Sequence, residues 1–173
     1  MERVVAQGEQ VGLSLRRMAW QIAERGESFV VVGLEPRGSQ LAQWLRALLE
    51  GVLQTAIPMG TLDVTLWRDD LHHHRKLRIP RPAHLPFAIE GQRIWLVDDV
   101  LYTGRTVRAA LDALREWGRP AWVRLAVLVE RRGLREFPIV PDCVGFVLDT
   151  APEERVQVVL EPRPLIRLHA TYE

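Results

Sequence analysis

At 173 residues the chain can bury a full core as one domain, and its formal charge of +1 argues against a general polyanion coat, so any nucleic-acid contact needs a local patch. A single cysteine, Cys143, excludes an internal disulfide and suits a reducing compartment. With no signal-type apolar leader and no apolar stretch long enough to span a bilayer, the expectation is a soluble, cytoplasmic protein without membrane association.

The first periodic segment, residues 7–26, predicts an amphipathic helix with Val11, Leu15, Met18 and Ile22 on one face. An apolar strand follows at 29–34, then a helix at 38–50 with Leu41, Trp44, Leu45, Leu48 and Leu49 turned inward. Alternation at 61–67 predicts another strand. Residues 68–90, with Pro80, Pro82, Pro86 and His72-His73-His74, read as a mobile flap that ends in a short return to the sheet. Consecutive histidines on a loop seldom converge on one ion, so a solvated flap is expected there rather than a metal site.

Next come a buried strand at 93–97 and a helix at 104–118, whose apolar positions Val107, Ala110, Leu111, Leu114 and Trp117 recur with period 3.6. A third buried strand is expected at 123–129. Near-continuous apolar strands separated by amphipathic helices indicate an α/β fold, with a mostly parallel central sheet covered by helices on both faces. Extended pieces at 143–148, 155–160 and 165–171 would build a small hood, about 139–173, over the carboxyl edge of a single domain spanning 1–173.

The most informative stretch is Ile94-Trp95-Leu96-Val97-Asp98-Asp99-Val100-Leu101-Tyr102-Thr103-Gly104-Arg105-Thr106. Two adjacent carboxylates at the carboxyl end of a buried strand sit where α/β sheets bind ligands. A Gly-rich, hydroxyl-bearing helix start beside them offers free N–H groups and a favourable dipole to an anion. Acceptors for hydroxyls next to donors for a phosphate make a holder for a phosphorylated sugar. Val32-Gly33-Leu34-Glu35-Pro36-Arg37-Gly38 repeats the strand–loop–helix theme: Gly38 permits close backbone approach, and the Arg37 guanidinium matches phosphate oxygens.

The 94–106 stretch resembles the phosphoribosyl-pyrophosphate (PRPP) loop of type I phosphoribosyltransferases, and residues 97–114 closely resemble the PyrR family, bacterial regulators of pyrimidine operons that are also uracil phosphoribosyltransferases. Asp63-Val64-Thr65-Leu66-Trp67-Arg68-Asp69-Asp70-Leu71 resembles the segment that introduces the catalytic flap in that family. The resemblance implies a type I phosphoribosyltransferase fold and a PRPP site made of Asp98, Asp99, Val100, Leu101, Tyr102, Thr103, Gly104, Arg105 and Thr106. Within it, Asp98 and Asp99 would hold the ribose hydroxyls, and 102–106 would wrap the 5′-phosphate. It also implies a pyrophosphate loop at Pro36, Arg37 and Gly38, catalytic roles for Asp98, Asp99 and Arg68, and a base or nucleotide pocket with Arg131, Cys143, Val144 and Val156.

The reaction so implied joins uracil to PRPP, giving UMP and diphosphate, with Mg²⁺ brought by the substrate and Asp98 and Asp99 as candidate ligands. The PyrR resemblance further implies control by UMP or UTP and binding to a pyrimidine-operon mRNA leader, with Arg16 and Arg17 of the first helix on the RNA-binding surface. Purine enzymes usually place Asp where Tyr102 stands, which favours the PyrR branch. Departures at Glu35, Glu130 and Cys143 keep two alternatives in view: a PRPP- or nucleotide-binding regulator with little catalysis, and a phosphoribosyltransferase for another nucleobase. Trp20, Trp44, Trp67, Trp95, Trp117 and Trp122 exceed what one core of this size needs, so some are expected at the contacts of a homodimer or tetramer.

Overall fold

In the computed structural model, residues 2–65 and 82–170 are described. The apolar runs make the centre of a five-stranded parallel sheet, ordered β3-β2-β4-β5-β6, from β2 (Val30–Leu34), β3 (Met59–Leu62), β4 (Arg93–Leu101), β5 (Trp122–Arg132) and β6 (Cys143–Asp149). Every residue of β2 is buried, as a strand covered on both faces requires.

Alternation along the strands sorts the core into two layers. Val31, Trp95, Val97, Ala126 and Leu128 pack with helices α1 (Glu9–Ala23) and α2 (Arg37–Leu53). Val30, Val32, Ile94, Leu96, Leu125 and Val127 pack on the other face with α3 (Arg105–Arg115). The expected α/β class with helices on both faces is the observed one. Trp95 is 1% exposed and meets Trp122 edge to face at 6.3 Å.

Four elements differ from the sequence reading. The segment at 143–148, expected in the hood, is the fifth strand of the main sheet, paired in parallel with β5 from Ala126–Cys143 onward. The hood is instead a separate antiparallel sheet, β1-β8-β7, whose first strand is β1 (Glu2–Gln7), with β7 (Glu154–Val159) and β8 (Leu165–Ala170). The strand expected at 61–67 ends at Leu62, and the chain returns at His84, whose N–H and C=O both bond Thr61, at 2.9 and 2.8 Å. Finally, α3 stops at Arg115, and Leu111 and Trp117, read as inward positions, are 38% and 51% exposed. Arg68, Trp67 and the His72-His73-His74 run lie outside the described residues. Among the described residues no helix is long and apolar enough to cross a membrane.

Candidate active site

Strand β4 does not end at the acidic pair but continues through it to Leu101, so the sheet itself fixes Asp98 and Asp99. Both are almost fully buried, at 7% and 9% exposure. They line a cleft of about 700 Å³ at the carboxyl ends of the strands. Glu35, Pro36 and Arg37 reach it from β2, Asp63, Val64 and Thr65 from β3, and residues 98–104 with Thr106 and Val107 from β4 and α3. Arg131 at the end of β5 and Arg155 and Val156 on hood strand β7 complete the wall.

Two helix starts converge here. Gly38 lies so close to β4 that a Cβ would sit 2.6 Å from the Val97 carbonyl oxygen and 3.0 Å from the Asp98 Cα. That approach brings Arg37 across the cleft, where its Nε meets Asp99 Oδ2 at 2.9 Å. Gly104 takes φ +91° at the N-cap of α3, a conformation that L side chains rarely adopt. Neither N-cap residue, Pro36 nor Gly104, caps its helix with its own side chain; at α3 the Thr103 hydroxyl accepts from the Arg105 N–H at 3.3 Å.

Burial pushes the Asp98 carboxyl well above the ordinary carboxylate range, and the Asp99 charge beside it adds to the rise. The Asp99 N–H, donating to Asp98 Oδ1 at 2.9 Å, and Arg37 oppose it. A hydroxyl-bearing or cationic ligand would therefore relieve a crowded pair of acids. The Arg131 guanidinium stacks 3.8 Å from the centre of the Tyr102 ring and donates to Thr150 Oγ1 at 2.9 Å and the Ala151 carbonyl at 3.2 Å. Burial lowers its pKa, with Tyr102 and Glu154 acting the other way.

The structure brings Pro36, Arg37, Asp98, Asp99, Val100, Leu101, Tyr102, Thr103, Gly104, Thr106, Arg131 and Val156 to one cleft; Gly38 stands directly behind it. The Arg105 side chain turns away, pairing with Glu136 and lying 5.6 Å from the Phe137 ring. Cys143 and Val144, expected near the base, are not part of the wall. They sit at the start of β6, below the carboxyl edge, where the Cys143 thiol is buried against Met18 and Gln21 of α1. Arg17 is tied back to the same strand, donating to the Val144 and Gly145 carbonyls at 3.1 and 2.6 Å, and Arg16 pairs with Glu9.

Sequence reasoning missed Arg155, which a hood of unknown pairing could not place, and gave no role to Asp63 and Thr65. The Asp63 carboxylate accepts from the Thr65 N–H and hydroxyl at 3.0 and 2.5 Å, fixing the turn after β3. A second hollow, about 730 Å³, opens at the opposite edge of the sheet between Phe29, Pro58 and Phe87. It holds none of the expected site residues, and its Glu27 is already paired with Arg124 at 2.7 Å.

The phosphoribosyl transferase domain family matches residues 5–162. A protein from Brevibacillus brevis described as bifunctional protein PyrR is 50% identical over 150 residues, covering 85% of this chain and 83% of its own length. The protein of the same description from a Synechocystis species is 46% identical over 156 residues, covering 88% and 86%. Among solved structures, hypoxanthine phosphoribosyl transferase of Trypanosoma cruzi superimposes with a TM-score of 0.69 at 17% identity, over 86% of this chain and 79% of that one, a likeness of fold.

Proposed function

The chain belongs to the phosphoribosyl transferase family, in its PyrR branch, and from that premise we propose that it is a uracil phosphoribosyltransferase that also regulates pyrimidine operons through their mRNA leaders. The observation that carries the catalytic half is the meeting, in one cleft, of a buried Asp98–Asp99 pair, the loop and helix start at Tyr102, Thr103, Gly104 and Thr106, and the Arg37 guanidinium. These are acceptors for the ribose hydroxyls, donors for the 5′-phosphate and a cation for the diphosphate.

In the reaction the C1′–oxygen bond to diphosphate breaks as the uracil N1–C1′ bond forms, and the N1 proton leaves. The transition state carries positive charge on the sugar ring, so the protein's contribution is positioning and charge. Asp98 and Asp99 orient the ribose and place negative charge beneath it. Arg37 exchanges its contact with Asp99 for the departing diphosphate, and Arg68, from outside the described residues, is assigned to meet the same group. Arg131, stacked on Tyr102, and Val156 face the nucleotide side.

The all-oxygen donor set of Asp98 and Asp99, with its excess negative charge, suits Mg²⁺, an ion commonly held by one or two carboxylates together with substrate phosphates. Among the described residues no cluster of three or more metal-ligating side chains exists. When bound, the ion would neutralise charge on diphosphate and ribose oxygens.

For the regulatory half, α1 presents Arg16 and Arg17 beside the exposed Trp20 and Leu13. Because Arg17 also holds β6, Arg16→Ala is the cleaner probe of phosphate contact. Binding to a pyrimidine-operon leader should weaken in that variant and fall steeply with salt. The exposed Trp20 and Trp117 support a homodimer or tetramer.

The direct test is purified protein with Mg²⁺, PRPP and each nucleobase in turn, with Asp99→Asn as control. UMP formation that exceeds turnover of hypoxanthine and adenine, and is lost in the variant, is expected. Faster purine turnover assigns another nucleobase, and no turnover with retained nucleotide binding assigns a regulator alone.

A further inference from the structure

A trans peptide is planar, so its C=O and the next residue's N–H point in opposite directions. Two successive carbonyls of the loop between β4 and α3 are drawn away from the cleft by one segment, the start of the connection from β5 to β6. The Arg135 guanidinium donates to the Tyr102 carbonyl. The N–H groups of Glu136 and Phe137 donate to the Thr103 carbonyl at 2.9 and 3.2 Å. None of these three residues lines the cleft, whereas Tyr102, Thr103 and Gly104 all do. The N–H groups of Thr103 and Gly104 are thereby turned to the opposite side, toward the cleft, and neither donates to any described residue.

The segment is itself held. Arg135 Nη2 pairs with Glu130 Oε1 at 2.8 Å, and both side chains are about four-fifths buried, at 21% and 18% exposure. Phe137 lies under the guanidiniums of Arg105 and Arg108, at 5.6 and 5.0 Å, and Glu136 pairs with Arg105. A free loop can turn either peptide over, and each flip would put a carbonyl oxygen where a phosphate oxygen must sit.

The geometry points to Arg135, held by Glu130, as a positioning residue that sets the donor geometry of the 5′-phosphate subsite from outside it. The inference rests on the reading of the cleft as a nucleotide site. It gives Glu130, one of the departures from the family pattern, a structural role, in which the carboxylate orients Arg135 rather than touching ligand.

The test compares calorimetric affinities for UMP, uridine and inorganic diphosphate in the wild type, Arg135→Met and Glu130→Gln. The ratio of UMP to uridine affinity reads the phosphate subsite alone. Arg135→Met should lower that ratio about tenfold, the size of one lost charged hydrogen bond, with uridine and diphosphate affinities unchanged. Glu130→Gln, which removes no contact to the loop itself, should move it in the same direction by less, and it keeps the test alive if Arg135→Met fails to fold. A wild-type ratio in both variants overturns the inference. So does an equal loss for all three ligands, which would mark general loosening. A wild type that does not prefer UMP to uridine would instead sink the nucleotide reading beneath it.

Discussion

Gly38→Ala is the sharpest perturbation of the site that adds only one methyl group. The new Cβ would lie 2.6 Å from the Val97 carbonyl oxygen, 3.0 Å from the Asp98 Cα and 3.1 Å from Asp98 Oδ1. Reaching an ordinary carbon–oxygen contact of roughly 3.3 Å requires a shift of about 0.7 Å. Strand β4 is paired on both sides, with β2 and β5, so α2 must give way, carrying Arg37 from Asp99. A misplacement approaching 1 Å at a reacting site costs on the order of 100-fold in rate. Overpacking of this kind costs about 1–3 kcal/mol. At about 2–4 °C per kcal/mol for a chain of this size, the Tm should fall by roughly 2–12 °C. Gly51→Ala is the control on the same helix: nothing lies within 4 Å of its Cβ, and helix propensity should make it neutral or more stable by up to about 1 kcal/mol. Steady-state UMP formation and thermal unfolding measure both variants. Wild-type kinetics in Gly38→Ala would refute the claim that close approach of α2 to β4 builds the diphosphate side of the site.

Asp98→Asn should stabilise the ligand-free fold while abolishing turnover. The amide keeps the Oδ1 acceptor for the Asp99 N–H but removes a buried charge facing another. Relief of a destabilised active-site group is worth about 0.5–2 kcal/mol. The sign follows from linkage: a carboxyl raised in the folded state binds its proton more tightly than when unfolded. Stability is therefore lost as pH climbs from the ordinary carboxylate value, about 4, through the raised one. That slope should flatten in the variant, as followed by denaturant unfolding across pH. Cys143 gives a separate readout: burial, opposed by Arg17 and Arg25, lifts its thiol to about 11, so alkylation at pH 8 should wait for unfolding. Rapid labelling of the native protein would contradict the packing of β6 on α1.

How much of this was legible depended on the range of the interactions. The Asp98–Asp99 pair, the Gly104 helix start and the buried strands at 30–34 and 94–97 are local patterns, and local patterns survive in one dimension. Strand β1 was missed because Ala6 is its only buried residue and its partner, β8, lies at the other end of the chain. The same non-locality misassigned 143–148: a short, half-exposed strand fits a hood or a sheet edge equally well, and only its register with β5 decides. Cys143 followed that error away from the cleft. The bonds from Arg17 to the Val144 and Gly145 carbonyls were not legible, because helical periodicity gives the direction of a side chain and not the distant backbone that meets it. The Arg135 clamp was unreadable for a like reason, since its main acceptor is a backbone oxygen 33 residues earlier.

On the proposed function, a sugar phosphate settles between the paired aspartates and the loop at 102–106. Titration calorimetry of PRPP with Mg²⁺ tests it most directly, in the wild type and in Asp99→Asn. One saturable site per chain, weakened at least about tenfold in the variant, is the expected result. No heat in the wild type, or equal affinity in both proteins, would contradict it.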